Sequence, residues 1–244
     1  MFKLYLDPGH GGSDTGATGN GMTEKDLVLD ISLRIRDILE SEYADVDIRM
    51  SRTDDSDVSL EERSSDANSW GADYFLSVHV NGFDGSAQGY EDYIYEGLSD
   101  SSETAQIRDI MHEEIMGAVD LVNRGQKTAN FHVLRETAMS AILTENGFVD
   151  NTEDAEKLSD PNFLETIARG HVNGLARAFN LEQVDESSED SGDDSSGDSG
   201  NGDLFRVIVD GEQEGAYRVK QNILNSVDRN LDSADEIIIE KVDE

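Results

Sequence analysis

Two rhythms of apolar residues alternate along most of the chain. Phe2-Lys3-Leu4-Tyr5-Leu6 is a short apolar run that Asp7-Pro8-Gly9 stops, which predicts a buried strand. From Lys25 to Glu42, Leu27, Ile31, Ile35 and Ile38 fall on one helical face. Thr23 is the expected N-cap, with Asp26 three residues on as its acidic partner. Asp47–Met50 reads as a short strand, Ser59–Ala72 as a helix capped by Ser59, and Asp73–Asn81 as a strand. Gly89–Glu96 is a further strand on its aromatic content, and Glu103–Val122 a helix. "FHVLRE" is expected to be extended, "SAILTENGF" a buried strand ending at Glu145, and Asn162–Phe179 a closing helix. This alternation predicts an α/β fold: a twisted, largely parallel sheet with helices on both faces.

The rhythm breaks at Leu181. "LEQVDESSEDSGDDSSGDSGNGD" has almost no apolar residue after Val184 and reads as a flexible, self-repelling linker over 182–203. Its Asp residues lack the spacing, closing Glu and flanking helices of an EF-hand. Residues 204–244 read strand, turn, helix, strand: a small βαβ C-terminal domain, with Gly211 and Gly215 in the turn. Its helical stripe is Ala216, Val219, Ile223, Val227 and Leu231, and "EIIIEKV" closes it. About 40 residues lie near the lower limit for independent folding. Two strands around one helix leave sheet edges open, so self-association through this domain is expected.

Composition narrows the chemistry. There is no Cys, so disulfides and thiolate metal sites are excluded and any metal must be held by His and carboxylates. The formal charge is -35, the wrong sign for a nucleic-acid partner. Residues 1–181 carry 14 basic and 35 acidic side chains, net -21, so the folded part is itself acidic. Two readings fit that charge: adaptation to high salt, where screening relieves self-repulsion, or an ordinary very soluble protein. No stretch is long and apolar enough to span a membrane. No signal-peptide pattern opens the sequence, so synthesis in the cytoplasm and release by some other agent are expected.

Candidate chemistry gathers at strand ends. His10 follows the first strand in a glycine-rich loop, His79 lies near the end of Asp73–Asn81, and Glu145 ends a strand. Glu24 opens the first helix. In open α/β sheets ligands bind beyond the carboxyl ends of the strands. Two His and a carboxylate suit a catalytic zinc with one open position, and a further carboxylate could act as general base. Each residue also has an ordinary reading. His10 could cap a loop, His79 could be a satisfied core histidine, and Glu24 could answer the helix dipole. An unpartnered Glu145 on a buried strand would be costly. Of the other histidines, His112 is expected to be solvated and His171 to be core, and His132 is the spare one that could reach the cleft.

"LDPGHGGSDTGATGNGMTEKDLVLDIS" resembles the opening motif of the zinc-dependent N-acetylmuramoyl-L-alanine amidases, the Amidase_3 family. "SRTDDSDVSLEERSSDANSWGADYFLSVHVN" and "AILTENGFVDN" are similar to its second and third motifs, in the same order, and the match spans about residues 2–181. Met139-Ser140 departs from the family, which often has a Pro there. The resemblance implies one zinc ion held by His10, Glu24 and His79, with Glu145 the catalytic carboxylate. It implies hydrolysis of the muramic acid to L-alanine amide in peptidoglycan. Gly9, Gly11 and Gly12 would let the loop lie close to the metal. Asp14 would support a ligand His, and Asn81 and Arg135 are candidates for substrate or supporting contacts. The C-terminal unit resembles, more weakly, a SPOR-like wall-binding repeat. A phage or prophage endolysin is the first expected role and a sporulation mother-cell autolysin the second. A catalytically dead wall-binding protein and a hydrolase of some other amide are the rivals.

Overall fold

The computed structural model describes residues 1–184 together with 205–209, 212–217 and 237–241. The chain divides into two compact units, Met1–Gln183 and Val184–Glu244. In the first, the order is β1 (Phe2–Pro8), β2 (Thr18–Gly19), β3 (Met22–Thr23), α1 (Glu24–Glu42), β4 (Val46–Met50), α2 (Leu60–Trp70), β5 (Tyr74–Asn81) and β6 (Tyr90–Tyr95). Then come α3 (Glu103–Ala118), β7 (Asn123–Ala129), α4 (His132–Arg135), β8 (Ser140–Phe148), α5 (Thr152–Leu158) and α6 (Pro161–Phe179).

The six-stranded sheet runs β4-β1-β5-β8-β6-β7. Every neighbouring pair is parallel except β8 with β6. The period of two in the central strands sorts side chains to two cores. Leu4, Leu6, Leu76, Val78 and Ile142 pack under α1, α3 and α6. Tyr5, Phe75, Ala141 and Leu143 face the other way, against α2 and α4. The expected largely parallel sheet, covered on both faces, is the fold observed. No helix among the described residues is long and apolar enough to cross a membrane.

Local chemistry sets the ends of these elements. Ser59 and Glu62 form a reciprocal capping box at the start of α2, which ends on left-handed Gly71. Asp160 caps α6 ahead of Pro161. Thr23 occupies the N-cap position of α1 but caps no backbone group; its hydroxyl donates to Asp26 Oδ2 instead, at 2.5 Å.

Several expected boundaries move. "FHVLRE" is not extended: His132–Arg135 is one turn of helix, with Glu136 N donating to His132 O. α3 stops at Ala118, and the chain then forms edge strand β7, which the sequence pattern did not suggest. β8 does not end at Glu145 but continues to Phe148. The expected linker is still packed at its start, since Ala44 N donates to Glu182 O and Gln183 bridges to Tyr43.

In the second unit, β9 (Phe205–Val209), β10 (Glu212–Tyr217) and β11 (Ile237–Lys241) form a three-stranded antiparallel sheet in the order β10-β9-β11. Gly215 and Ala216 therefore lie in a strand, not in a turn and a helix. The rest of the expected helical stripe, and most of the expected linker, lie outside the described residues.

Candidate active site

β1 and β5 end side by side, Asp7 opposite Ser77 and Pro8 opposite Val78. His10 follows from β1 with a left-handed φ of 58°. The chain returns through the β2–β3 hairpin, whose Asn20-Gly21 turn has the two positive φ values that such a tight turn requires. Glu24 is thereby set at the mouth of α1, its backbone N–H on Ala17 O at 2.8 Å.

Three predicted donors meet. His79 Nδ1 lies 2.8 Å and His10 Nε2 3.1 Å from Glu24 Oε1. The two imidazole rings stand edge to face, 4.9 Å between centroids. One donor atom from each of His10, Glu24 and His79 lies within 4.8 Å of the others, so the set could hold a metal ion. Glu24 is itself fixed: Oε2 accepts from Ala17 N at 2.8 Å and Oε1 from Val80 N at 3.2 Å. Burial pushes its carboxyl up, and the two imidazoles outweigh that and bring it to about 2. Asp14 Oδ2 sits 2.9 Å from His10 Nδ1. A carboxylate can only accept there, which places a proton on Nδ1, while Nε2 faces the Glu24 carboxylate in the cluster.

The glycines serve two different purposes. A Cβ on Gly9 would fall 2.4 Å from His79 Nε2, and one on Gly16 2.5 Å from Glu24 Oε2. At Gly11 and Gly12 an added Cβ would meet other groups. Their Cβ positions would strike Ser56 and Arg52, and Asp57, on the loop beneath.

Glu145 stands beside His79 in the β5–β8 register and opposite Glu91 on β6. Its Oε2 is buried and has no hydrogen-bond partner. Burial first, then the charges of Glu24 and Glu91, hold its carboxyl well above the usual range. A cleft of about 680 Å³ opens over these groups. His10, His79 and Glu145 line it with Leu60, Phe131, Val133 and Leu143 as an apolar wall. Leu60 and Phe131 are exposed.

The remaining candidates divide. Asn81 does not line the cleft; its Nδ2 donates to Glu91 Oε1 at 3.1 Å and its Oδ1 accepts from Gly82 N. Arg135 is not brought to the cleft; it is tied to Asn130 and Glu136 and lines a separate depression. His132 does line the cleft, 3.2 Å from Ser64 Oγ. His171 is fully buried, as expected, between Ile167 O and Thr144 Oγ1. His112 is not solvated: Nδ1 is 2.6 Å from buried Asp92 Oδ2, and Nε2 is 3.2 Å from Asn123 Oδ1. Sequence reasoning gave no role to Glu91, whose carboxylate gathers Tyr93, Arg124, Lys127 and Asn81. Gly16 drew no reading of its own, and Arg52 and Arg63 entered only as parts of the second motif, with no role given to either.

Fold and site together define an α/β protein that can hold a metal ion at its strand ends beside the carboxyl group of Glu145. The family model for N-acetylmuramoyl-L-alanine amidases matches residues 4–177, and the chain belongs to that family of peptidoglycan amidases. It is 61% identical over 183 residues to the N-acetylmuramoyl-L-alanine amidase CwlM of Bacillus licheniformis, covering 75% of this chain and 71% of the relative. It is 48% identical over 222 residues to the sporulation-specific N-acetylmuramoyl-L-alanine amidase of Bacillus subtilis, covering 91% and 78%. It is 42% identical over 187 residues to the endolysin of Bacillus phage SPP1, covering 75% and 68%. Among solved structures it is similar to the catalytic domain of CwlV, an amidase of Bacillus (Paenibacillus) polymyxa var. colistinus. The TM-score is 0.70 at 30% identity, over 75% of this chain and 100% of that one.

Proposed function

We propose that the protein is a zinc-dependent amidase that hydrolyses the amide between N-acetylmuramic acid and L-alanine in peptidoglycan. The observation that carries this reading is the convergence of His10, Glu24 and His79 beside the unpartnered oxygen of Glu145. The donor set fits zinc: two imidazoles and one carboxylate, with Asp14 behind His10 as metal-bound His requires. The space around the donors is kept by glycine at positions 9 and 16.

His10, Glu24 and His79 would hold the ion, which supplies Lewis acidity for the substrate carbonyl and for a water molecule. Glu145 Oε2 receives the proton of the attacking water. The water oxygen bonds to the lactyl carbonyl carbon, the C–N bond breaks, and Glu145 delivers the proton to the alanine nitrogen. Leu60, Phe131 and Leu143 give one side of the cleft an apolar wall.

The C-terminal unit would bring the enzyme to the wall. Release as an endolysin and action as a sporulation mother-cell autolysin share this chemistry. The alignment with the sporulation-specific relative favours the latter, since it covers 91% of the chain and so enters the C-terminal unit. Digestion of purified peptidoglycan, with and without a chelator, tests the reading. The expected product is a newly freed L-alanine amino terminus, lost with chelator and regained with zinc. Binding to the wall without release of that terminus would sink the reading in favour of a catalytically dead wall-binding protein.

A further inference from the structure

Two arginines lie beneath the His10 loop, both almost fully buried. Arg52 Nε donates to Pro8 O at 3.2 Å. Its Nη2 donates to Gly9 O at 2.7 Å and Lys25 O at 2.8 Å, and its Nη1 to Asp54 O at 3.0 Å. Arg63 Nη1 donates to Pro8 O at 2.7 Å and Asp7 Oδ1 at 2.6 Å, and its Nη2 to His10 O at 2.7 Å. Three consecutive carbonyls, Pro8, Gly9 and His10, are thus turned down onto guanidinium groups. Asp7 is held in turn by Ser77 on β5, the strand that carries His79.

This arrangement needs a reason. His10, Gly11 and Gly12 have successive φ values of 58°, 123° and 55°. The left-handed region is unfavourable for a residue that bears a side chain, so His10 must be held there. Burying two guanidiniums with one carboxylate between them is costly as well. Burial, then the neighbouring Arg63, pulls Arg52 below its usual range. A fixed fork of donors matches a run of backbone carbonyls in a way that a lysine cannot. Gly11 completes the fit, because a Cβ there would fall 2.9 Å from Arg52 Nε.

We propose that Arg52 and Arg63 are positioning residues that set metal affinity, holding the His10 loop and the start of α1 so that His10 and Glu24 meet His79. This rests on the zinc reading above. Of the two arginines, only Arg52 donates to both donor-bearing segments, through Gly9 O and Lys25 O.

The sign of the effect makes the proposal testable. Removing a buried positive charge near a divalent-cation site relieves repulsion, which by electrostatics alone tightens zinc. A general loss of stability leaves the affinity of the folded protein unchanged. Loss of positioning weakens it. The experiment takes the full chain, strips the metal and titrates zinc against a chromogenic chelator. Wild type, Arg52→Met, Arg52→Lys and Arg63→Lys are compared, with Arg36→Met on α1 as a control for charge. Arg36 pairs with Asp37 and lies away from the loop.

The expected result is a zinc Kd at least tenfold weaker for Arg52→Met, as for supporting residues behind metal ligands. A smaller loss is expected for the two lysine forms and none for Arg36→Met. An unchanged or tighter Kd in Arg52→Met overturns the proposal. Should that variant not fold, the lysine forms decide, and an unchanged Kd in both overturns it. A wild type that takes up no zinc overturns the metal reading itself, and this proposal with it.

Discussion

At the scale of single residues, position and proton affinity separate the roles. Glu145 forms no hydrogen bond with the donor set, so Glu145→Ala should fold and keep its zinc, yet lose nearly all hydrolysis. His10→Ala and His79→Ala should lose the metal as well. Metal content and peptidoglycan turnover of the three variants check this, and an active Glu145→Ala protein would refute the assignment. Gly16→Ala should weaken zinc binding at least tenfold. Its φ is 61°, and its Cβ would press on both Glu24 Oε2 and His10 Cδ2. The same chelator titration reads it.

His171 predicts a pH dependence away from the cleft. Burial holds its imidazole down at about 4, against roughly 6.5 in an unfolded chain. The unfolded state therefore binds the extra proton first as pH falls. The stability that neutral His171 contributes is complete above about pH 6.5 and is lost progressively down to about pH 4, by about 3 kcal/mol in total. Urea melts of wild type and His171→Leu at pH 7.5 and 4.5 measure it. The wild type should lose more stability between the two, and an equal loss would show that His171 does not titrate this way.

At the scale of elements, the cap of α2 offers a graded test. Ser59→Ala removes the hydroxyl that accepts from Glu62 N and should cost about 1 kcal/mol. In a unit of this size that is a fall of about 2–4 °C in Tm. No change in Tm would mean that Glu62 alone caps the helix.

Much of this level was legible in the sequence. The stripes of α1 and α6 and the apolar runs of β1, β5 and β8 carry strong periodicity, and tertiary packing agrees with it. The misses share physical causes. β7 is an edge strand, "NRGQKTA", with no fully buried residue, so nothing marks it as a strand. α4 is one turn long, too short for a period of 3.6 to show. β8 runs through Gly147 because its left-handed φ of 101° is accommodated next to Asp154, which accepts from Phe148 N at 2.9 Å. Asn146-Gly147 looks like a turn when that distant partner is not visible. The donor set and both arginines lay within quoted motifs, but only the donor set carried residue types that suggest chemistry. Arginine is usually a surface residue, and only the fold shows that carbonyls surround these two.

At the scale of the whole molecule, charge governs behaviour. Net -21 over residues 1–181 means dense repulsion in dilute buffer. The screening length falls from about 30 Å at 0.01 M salt to about 3 Å at 1 M. Melting temperature should therefore rise from low towards molar NaCl, with zinc held saturating. A flat or falling series would refute the high-salt reading of the charge. The second unit makes a separate prediction. β11 is an edge strand with Ile238 and Ile239 exposed, so the full chain should sediment as a dimer at micromolar concentration, and a version ending at Leu181 as a monomer. Two monomers would refute pairing through this unit.

The place of β8 in the sheet bears on how the chain comes off the ribosome. Until residue 148 has been made, β4-β1-β5 and β6-β7 have no strand between them. Each half then presents an open edge, β5 on one side and β6 on the other, while some 50 further residues follow β6. At about 5–20 residues per second that interval lasts several seconds. All three donors of the proposed metal set are already in the first half by residue 79. The nascent protein would thus hold the proposed zinc ligands before it has Glu145, and the strand that closes the sheet is the one that brings the proposed acid–base group.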